Sequence, residues 1–172
     1  IKTMETKSQK NGGAILVIEK EFDAPLQSVF NALSDPNALS QWWGPDGYRM
    51  SVTKFDFSPK GLCLFKMENH EHTMWARFIY HRIISPELLE FVLSFSDEHG
   101  RITRAPFFEN WPLEIMNAIT LKSINGKTVL TNTCFPVNAS AEEIFSFNEN
   151  KASMSGGMSS SMDKLTKLLS EK

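Results

Sequence analysis

In "MSGGMSSSMDKLTKLL", residues 154–169, Met154, Met158, Met162, Leu165 and Leu169 recur at steps of four, four, three and four. On a helix this spacing gathers all five onto one continuous apolar stripe. Such a stripe has to be buried against another element. Ser140 as a cap and Glu143 three residues later form a capping-box pattern, so helix is expected from about residue 140 to 170. Gly156-Gly157 interrupts the stripe. Glycine costs a helix interior about 1 kcal/mol each, and the pair is read as a kink or a close-packing point.

The sequence before the helix supplies the surface that it covers. From residue 48 to 135 the pattern is one of strands: "YRMSVTKFDF", "LCLFKMEN", "TMWARFIYHRIIS", "LLEFVLSFS", "LEIMNAITLKS" and "KTVLTNTCF". Turn signals separate them, the clearest being Asn125-Gly126, which suits a type I′ hairpin. The segment "RITRAPFFENWP" is less regular and is expected to loop out before the sixth of these strands. An earlier strand, "AILVIEKEF" at 14–22, puts Leu16, Ile18 and Phe22 on one face. Two short helices follow it. Pro25 suits the first turn of one, and Asp35-Pro36 caps and opens the next.

The second short helix runs into Trp42-Trp43 and stops at Gly44-Pro45. Adjacent helical residues point about 100° apart, so the two indoles serve different purposes. We expect Trp43 to be core, because it abuts the turn, and Trp42 to sit at the rim of a cavity. The order of elements gives an α+β fold: a curved antiparallel sheet wrapped around a long C-terminal helix, with two short helices after the first strand. Residues 1–13, "IKTMETKSQKNGG", are polar and read as a flexible leader; residues 14–172 read as a single domain.

Composition bounds the function. The net charge is -2 and the basic residues are scattered, which argues against nucleic acid and anionic membrane surfaces as partners. No apolar run approaches the roughly 18 residues of a membrane span. Cys63 and Cys134 stand alone and far apart. They read as buried thiols of a reducing, cytoplasmic compartment rather than a disulfide or metal framework.

The chain resembles the family named after the activator of heat-shock protein 90 ATPase, in its single-domain bacterial form. The marks are "FDAP" at 22–25, "DP" at 35–36, "WWGP" at 42–45, "SPELLEF" at 85–91, "SFSDEHG" at 94–100, "NWPLEIM" at 110–116 and "SM" at 153–154. The resemblance covers residues 15–170 and implies the helix-grip fold of the START-like, birch-pollen-allergen-like (SRPBCC) superfamily. This chain has Gly157-Met158 where the family usually has Gly-Trp, and Met162 where it usually has Leu, so the pocket wall is expected to differ in shape from that of relatives.

Candidate chemistry is sparse. Glu68, His70 and His72 would share a face if extended, but "ENHEHT" reads as a hairpin tip, so no metal and no cofactor are expected. Tyr80 and His81 lie in an apolar strand, and one of them faces the concave side. A histidine there suits a general base. No GxSxG or phosphate-cradling loop occurs, and no catalytic residue is assigned. Arg101 and Arg104 flank the irregular segment, either to pin an acidic ligand or simply as exposed residues. Phe107, Phe108 and Trp111 within that segment read as a lid or as local packing.

The leading expectation is therefore a small, largely apolar molecule held between sheet and final helix. Trp42, Trp43, Tyr80, His81, Phe108, Trp111, Met154, Met158 and Met162 are its candidate contacts. Two alternatives are a co-chaperone-type module acting on a heat-shock protein 90 homologue, and an enzyme of the polyketide-cyclase or hydrolase sort known elsewhere in the superfamily.

Overall fold

A computed structural model describes residues 13–171. Apart from Gly13, the expected leader lies outside the described residues. In chain order the elements are β1 (Leu16–Phe22), α1 (Leu26–Ser34), α2 (Pro36–Trp42), β2 (Arg49–Phe55), β3 (Leu62–Glu68), β4 (Thr73–Ile84), β5 (Leu88–Ser96), β6 (Ile115–Ile124), β7 (Lys127–Pro136), α3 (Ala141–Glu149) and α4 (Lys151–Ser170). The seven strands form one antiparallel sheet in the order β1-β7-β6-β5-β4-β3-β2. With α4 laid across the concave face, this is the helix-grip fold.

Burial alternates in β4, whereas β6 is buried on both faces over Ile115–Ile119. In β4, Met74, Ala76, Phe78 and Tyr80 are buried, while Trp75, Arg77 and Ile79 between them are half-buried on the other face. Those inward residues meet Phe65 of β3 and Phe91 of β5 in an aromatic floor; the ring centroids of Phe78 and Phe91 are 4.2 Å apart. The β6–β7 hairpin turns on Asn125 and Gly126, at φ of 52° and 79°, both left-handed as a type I′ turn requires.

Asp35 begins α2 as expected: its carboxylate accepts from the Ala38 N–H at 2.9 Å, and Pro36 follows. At the C-terminal end of the chain the expected single helix is two. The break falls at Asn150, where the backbone leaves helical geometry (φ -111°, ψ 12°) and the side chain bonds the Ser146 carbonyl at 2.8 Å. Asparagine competes with the helix for backbone groups, which suits a break. Gly156-Gly157, read as a kink or a close-packing point, is not a close-packing point: α4 runs through both, and a β-carbon added at either would meet nothing within 4 Å.

The apolar stripe of α4 divides in two along its length. Met162 and Leu165 are buried in the main core, with Leu169 packed against it. Met154 and Met158 are only half-buried, and the space beside them is the candidate site.

Candidate functional site

Between the N-terminal half of α4 and the sheet lies an apolar, partly enclosed cavity of about 200 Å³. The sheet supplies Phe65 and Met67 from β3, Ala76 from β4, Leu93 and Phe95 from β5, and Ile115 from β6. The helix supplies Met154, Gly157, Met158 and Ser161. Trp43-Gly44-Pro45 bounds one side and Trp111-Pro112 another.

Each wall is fixed by a physical device. On the Trp43 side, Gly44 has φ of 110°, a region that side chains avoid, and a β-carbon there would come within 3.3 Å of the Met67 sulfur. The positive φ requires glycine, while the methionine sulfur would have to shift by a few tenths of an ångström to admit a β-carbon. The Gly44 carbonyl accepts two bonds from α4, from Ser161 Oγ at 2.9 Å and Lys164 Nζ at 2.7 Å. These two bonds clamp the loop to the helix. Burial holds the Lys164 ammonium below its ordinary pKa, against the opposing pull of Asp46.

On the Trp111 side, the irregular segment is held by α3. Glu143 completes the capping box, accepting from the Ser140 N–H at 2.8 Å while its own N–H donates to Ser140 Oγ at 3.1 Å. Its carboxylate also pairs with Arg104, whose guanidinium donates to the Trp111 carbonyl at 3.3 Å. Burial pushes the Glu143 pKa up, but the Ser140 and Arg104 hydrogen bonds outweigh it and leave the carboxyl below its usual range. The Trp111 ring stacks on Phe147, with centroids 6.0 Å apart. Arg104 is thus a strut of the wall. Arg101 is exposed beside Asp97.

Of the nine residues expected to contact a ligand, four line this cavity: Trp43, Trp111, Met154 and Met158. Trp42, expected at the rim, is core; Trp43 is core as expected and also lines the cavity. Trp42 is fully buried, and its indole N–H bonds the Ala32 carbonyl of α1 at 2.9 Å. Trp43 faces the cavity and packs edge-on against Phe78, with centroids 5.0 Å apart. The reason is backbone geometry. Trp42 ends the helix, whereas Trp43 at the cap is already extended (φ -73°, ψ 139°), which swings its side chain onto the sheet.

The other expected contacts lie elsewhere. Tyr80 is the inward member of its pair, but sits in the aromatic floor against Phe57, away from the cavity. His81 is exposed at the bulge between Tyr80 and Arg82 and so is no general base for the cavity. Met162 is core. Phe108 lies on the outer side of Trp111, 44% exposed. Glu68 pairs with Arg49 and Lys66, while the segment holding His70 and His72 is a turn organised by the Asn69 side chain. Among the described residues no group of three or more His, Cys, Asp or Glu could hold a metal.

The sheet residues of the lining were missed at the sequence level. Phe65, Met67, Leu93, Phe95 and Ile115 sit on the inward face of their strands, where alternation predicts core. Alternation alone does not say where the covering helix stands off. Among the described residues no histidine, cysteine or ionisable side chain lines the cavity. The two thiols are buried elsewhere, and burial pushes each up to about 12.

Known structures share this architecture. A protein from Arthrobacter aurescens superposes with a TM-score of 0.79 at 23% identity, over 94% of this chain and 89% of its own. One from Mycobacterium smegmatis gives 0.74 at 24%, over 91% and 90%. One from Silicibacter pomeroyi, named AHSA1, gives 0.68 at 22%, over 91% and 97%. At these identities the likeness establishes the fold. No curated protein matches. The family described as "Activator of Hsp90 ATPase homolog 1-like protein" matches residues 23–170. By that match and by its helix-grip architecture, the chain belongs to this family of the SRPBCC superfamily.

Proposed function

We propose that the protein binds a small, largely apolar molecule in the cavity between the sheet and α4. The observation that carries this reading is the cavity itself. Its wall of tryptophans, phenylalanines and methionines is held open by two independent sets of hydrogen bonds, at Gly44 and at Arg104–Glu143. Native cores are close-packed, so an apolar space braced on two sides fits a binding site better than a packing fault. Methionines adapt their shape to a ligand at small cost. A lining with no ionisable side chain among the described residues favours binding over acid–base catalysis.

The test is titration with a fluorescent apolar probe, followed through energy transfer from the indoles. Wild type is expected to bind stoichiometrically, and Met158→Arg, which puts a charge into the space, is expected to abolish binding while the protein stays folded. Equal binding by both would remove the cavity from consideration.

One feature supports a protein-interaction role as a second reading. Phe107, Phe108 and Phe145 are exposed together beside Glu109, Glu142 and Glu149. Exposed aromatic patches of this kind suit protein contacts. Direct binding to a heat-shock protein 90 homologue, lost in Phe145→Asp, would favour that role.

A further inference from the structure

The size and chemistry of the cavity narrow what it can hold. We propose that its occupant is a neutral, single-ring aromatic compound bearing one hydroxyl, which is directed at Ser161. This rests on the reading of the cavity as a ligand site.

Size comes first. A cavity of about 150 Å³ lined by apolar side chains takes up benzene. Scaling six heavy atoms to the 200 Å³ here gives roughly eight. Sterols and long acyl chains are far larger.

Charge is excluded next. Among the described residues no lining side chain is ionisable. Lys164, the cation nearest the clamp, already has its Nζ on the Gly44 carbonyl. A carboxylate or ammonium would enter without a counter-charge, which is costly in an apolar space.

The walls favour a ring. Trp43, Phe65, Phe95 and Trp111 offer aromatic faces and edges, and Met67, Met154 and Met158 offer sulfur contacts to it.

The hydroxyl proton follows from the acceptors that the lining offers, since the indole N–H groups of Trp43 and Trp111 can only donate. The Gly44 carbonyl is saturated by Ser161 and Lys164. Ser94 borders the cavity, but alternation with the inward Leu93 and Phe95 turns its hydroxyl to the convex face, opposite Arg77. Ser161 is 4% exposed and lines the cavity. Its proton is committed to Gly44, while its oxygen keeps lone pairs for a donor. A phenol-type O–H meets that need.

Calorimetric titration with four probes of graded chemistry decides it: 4-methylphenol, toluene, 4-methylbenzoate and cholesterol, alongside the fluorescent apolar dye. The phenol is expected to bind roughly threefold to tenfold tighter than toluene, the yield of one hydrogen bond. The benzoate and the sterol are expected to bind at least tenfold more weakly than the phenol, roughly the effect of an unpaired charge or an oversized ligand. Ser161→Ala should erase the preference for phenol over toluene, read as the ratio of the two affinities because loss of the Gly44 bond acts on both. Ser161→Thr, which keeps the hydroxyl, should retain it. If the benzoate or the sterol binds more tightly than the phenol, or Ser161→Ala keeps the preference, this inference is overturned while the cavity remains a ligand site. If wild type binds neither the dye nor any probe, the reading of the cavity fails and takes the inference with it.

Discussion

Trp42 is the residue whose loss should damage the fold most, and the size of the effect can be worked out. Its ring is fully buried between the short helices and the sheet. Its indole N–H bonds the carbonyl of Ala32, in the last turn of α1. The last four carbonyls of a helix have no partner within it, so Trp42 caps α1 from the neighbouring helix. Trp42→Ala removes both the packing and the cap, and is expected to cost about 3–5 kcal/mol. For a domain of this size each kcal/mol lowers Tm by roughly 2–4 °C, giving a fall of about 6–20 °C. Trp42→Phe keeps most of the apolar volume but leaves the Ala32 carbonyl buried and unpaired, for about 1–3 kcal/mol. Trp43→Ala should cost less than Trp42→Ala, because one side of that ring borders the cavity and has fewer atoms to lose contact with. The assay is urea unfolding by circular dichroism, with the m-value checked for constancy. A Trp42→Phe protein as stable as wild type, or a Trp43→Ala protein less stable than Trp42→Ala, would refute the reasoning.

Three other outcomes are expected. Gly157→Ala should stabilise the protein by about 1 kcal/mol through helix propensity, since its β-carbon meets nothing; Gly157→Leu should instead block the cavity, read as lost probe binding with Tm maintained. Cys63 and Cys134, both buried with thiols pushed up to about 12, should resist a thiol reagent at neutral pH and both react in urea. Their contribution to stability is full below the unfolded thiol pKa of 9.0 and is lost as pH rises towards 12, so thermal melts at alkaline pH check the same burial. The Glu143 carboxyl sits below its ordinary 4.5, so its stabilisation is present above that pH and disappears as pH falls through the folded value; melting from pH 6 down to about 3 should show a shallower acid loss for Glu143→Gln than for wild type.

Period and turn chemistry carried most of the architecture. Apolar runs of strand length recur in "AILVIEKEF" and after residue 48, and Asn125-Gly126, Asp35-Pro36 and Ser140–Glu143 mark turns and caps through local bonds that the residue types dictate. What failed was whatever local pattern does not encode. The stripe of α4 has the same spacing at Met154 as at Met162, yet one borders a cavity and the other is core, because only tertiary packing decides how far the helix stands from the sheet. That the cavity borders Trp43 and not Trp42 turned on one residue's dihedral angles at a helix end. The bulge that leaves His81 outside is likewise a register event between strands, invisible in either strand alone.

The position of β1 has a consequence for how the protein is made. β2 to β7 each pair with a neighbour in sequence, but β1 pairs with β7. Thr128 Oγ1 reaches back across 104 residues to the Ala24 carbonyl. On the ribosome the first strand therefore emerges with no partner and waits while the rest of the sheet is synthesised. Its backbone edge stays unpaired until β7 arrives, with the apolar face of Leu16, Ile18 and Phe22 exposed beside it. Long-range pairing of this kind is slow to close, which makes the interval before β7 appears the time when the nascent chain most needs protection from aggregation.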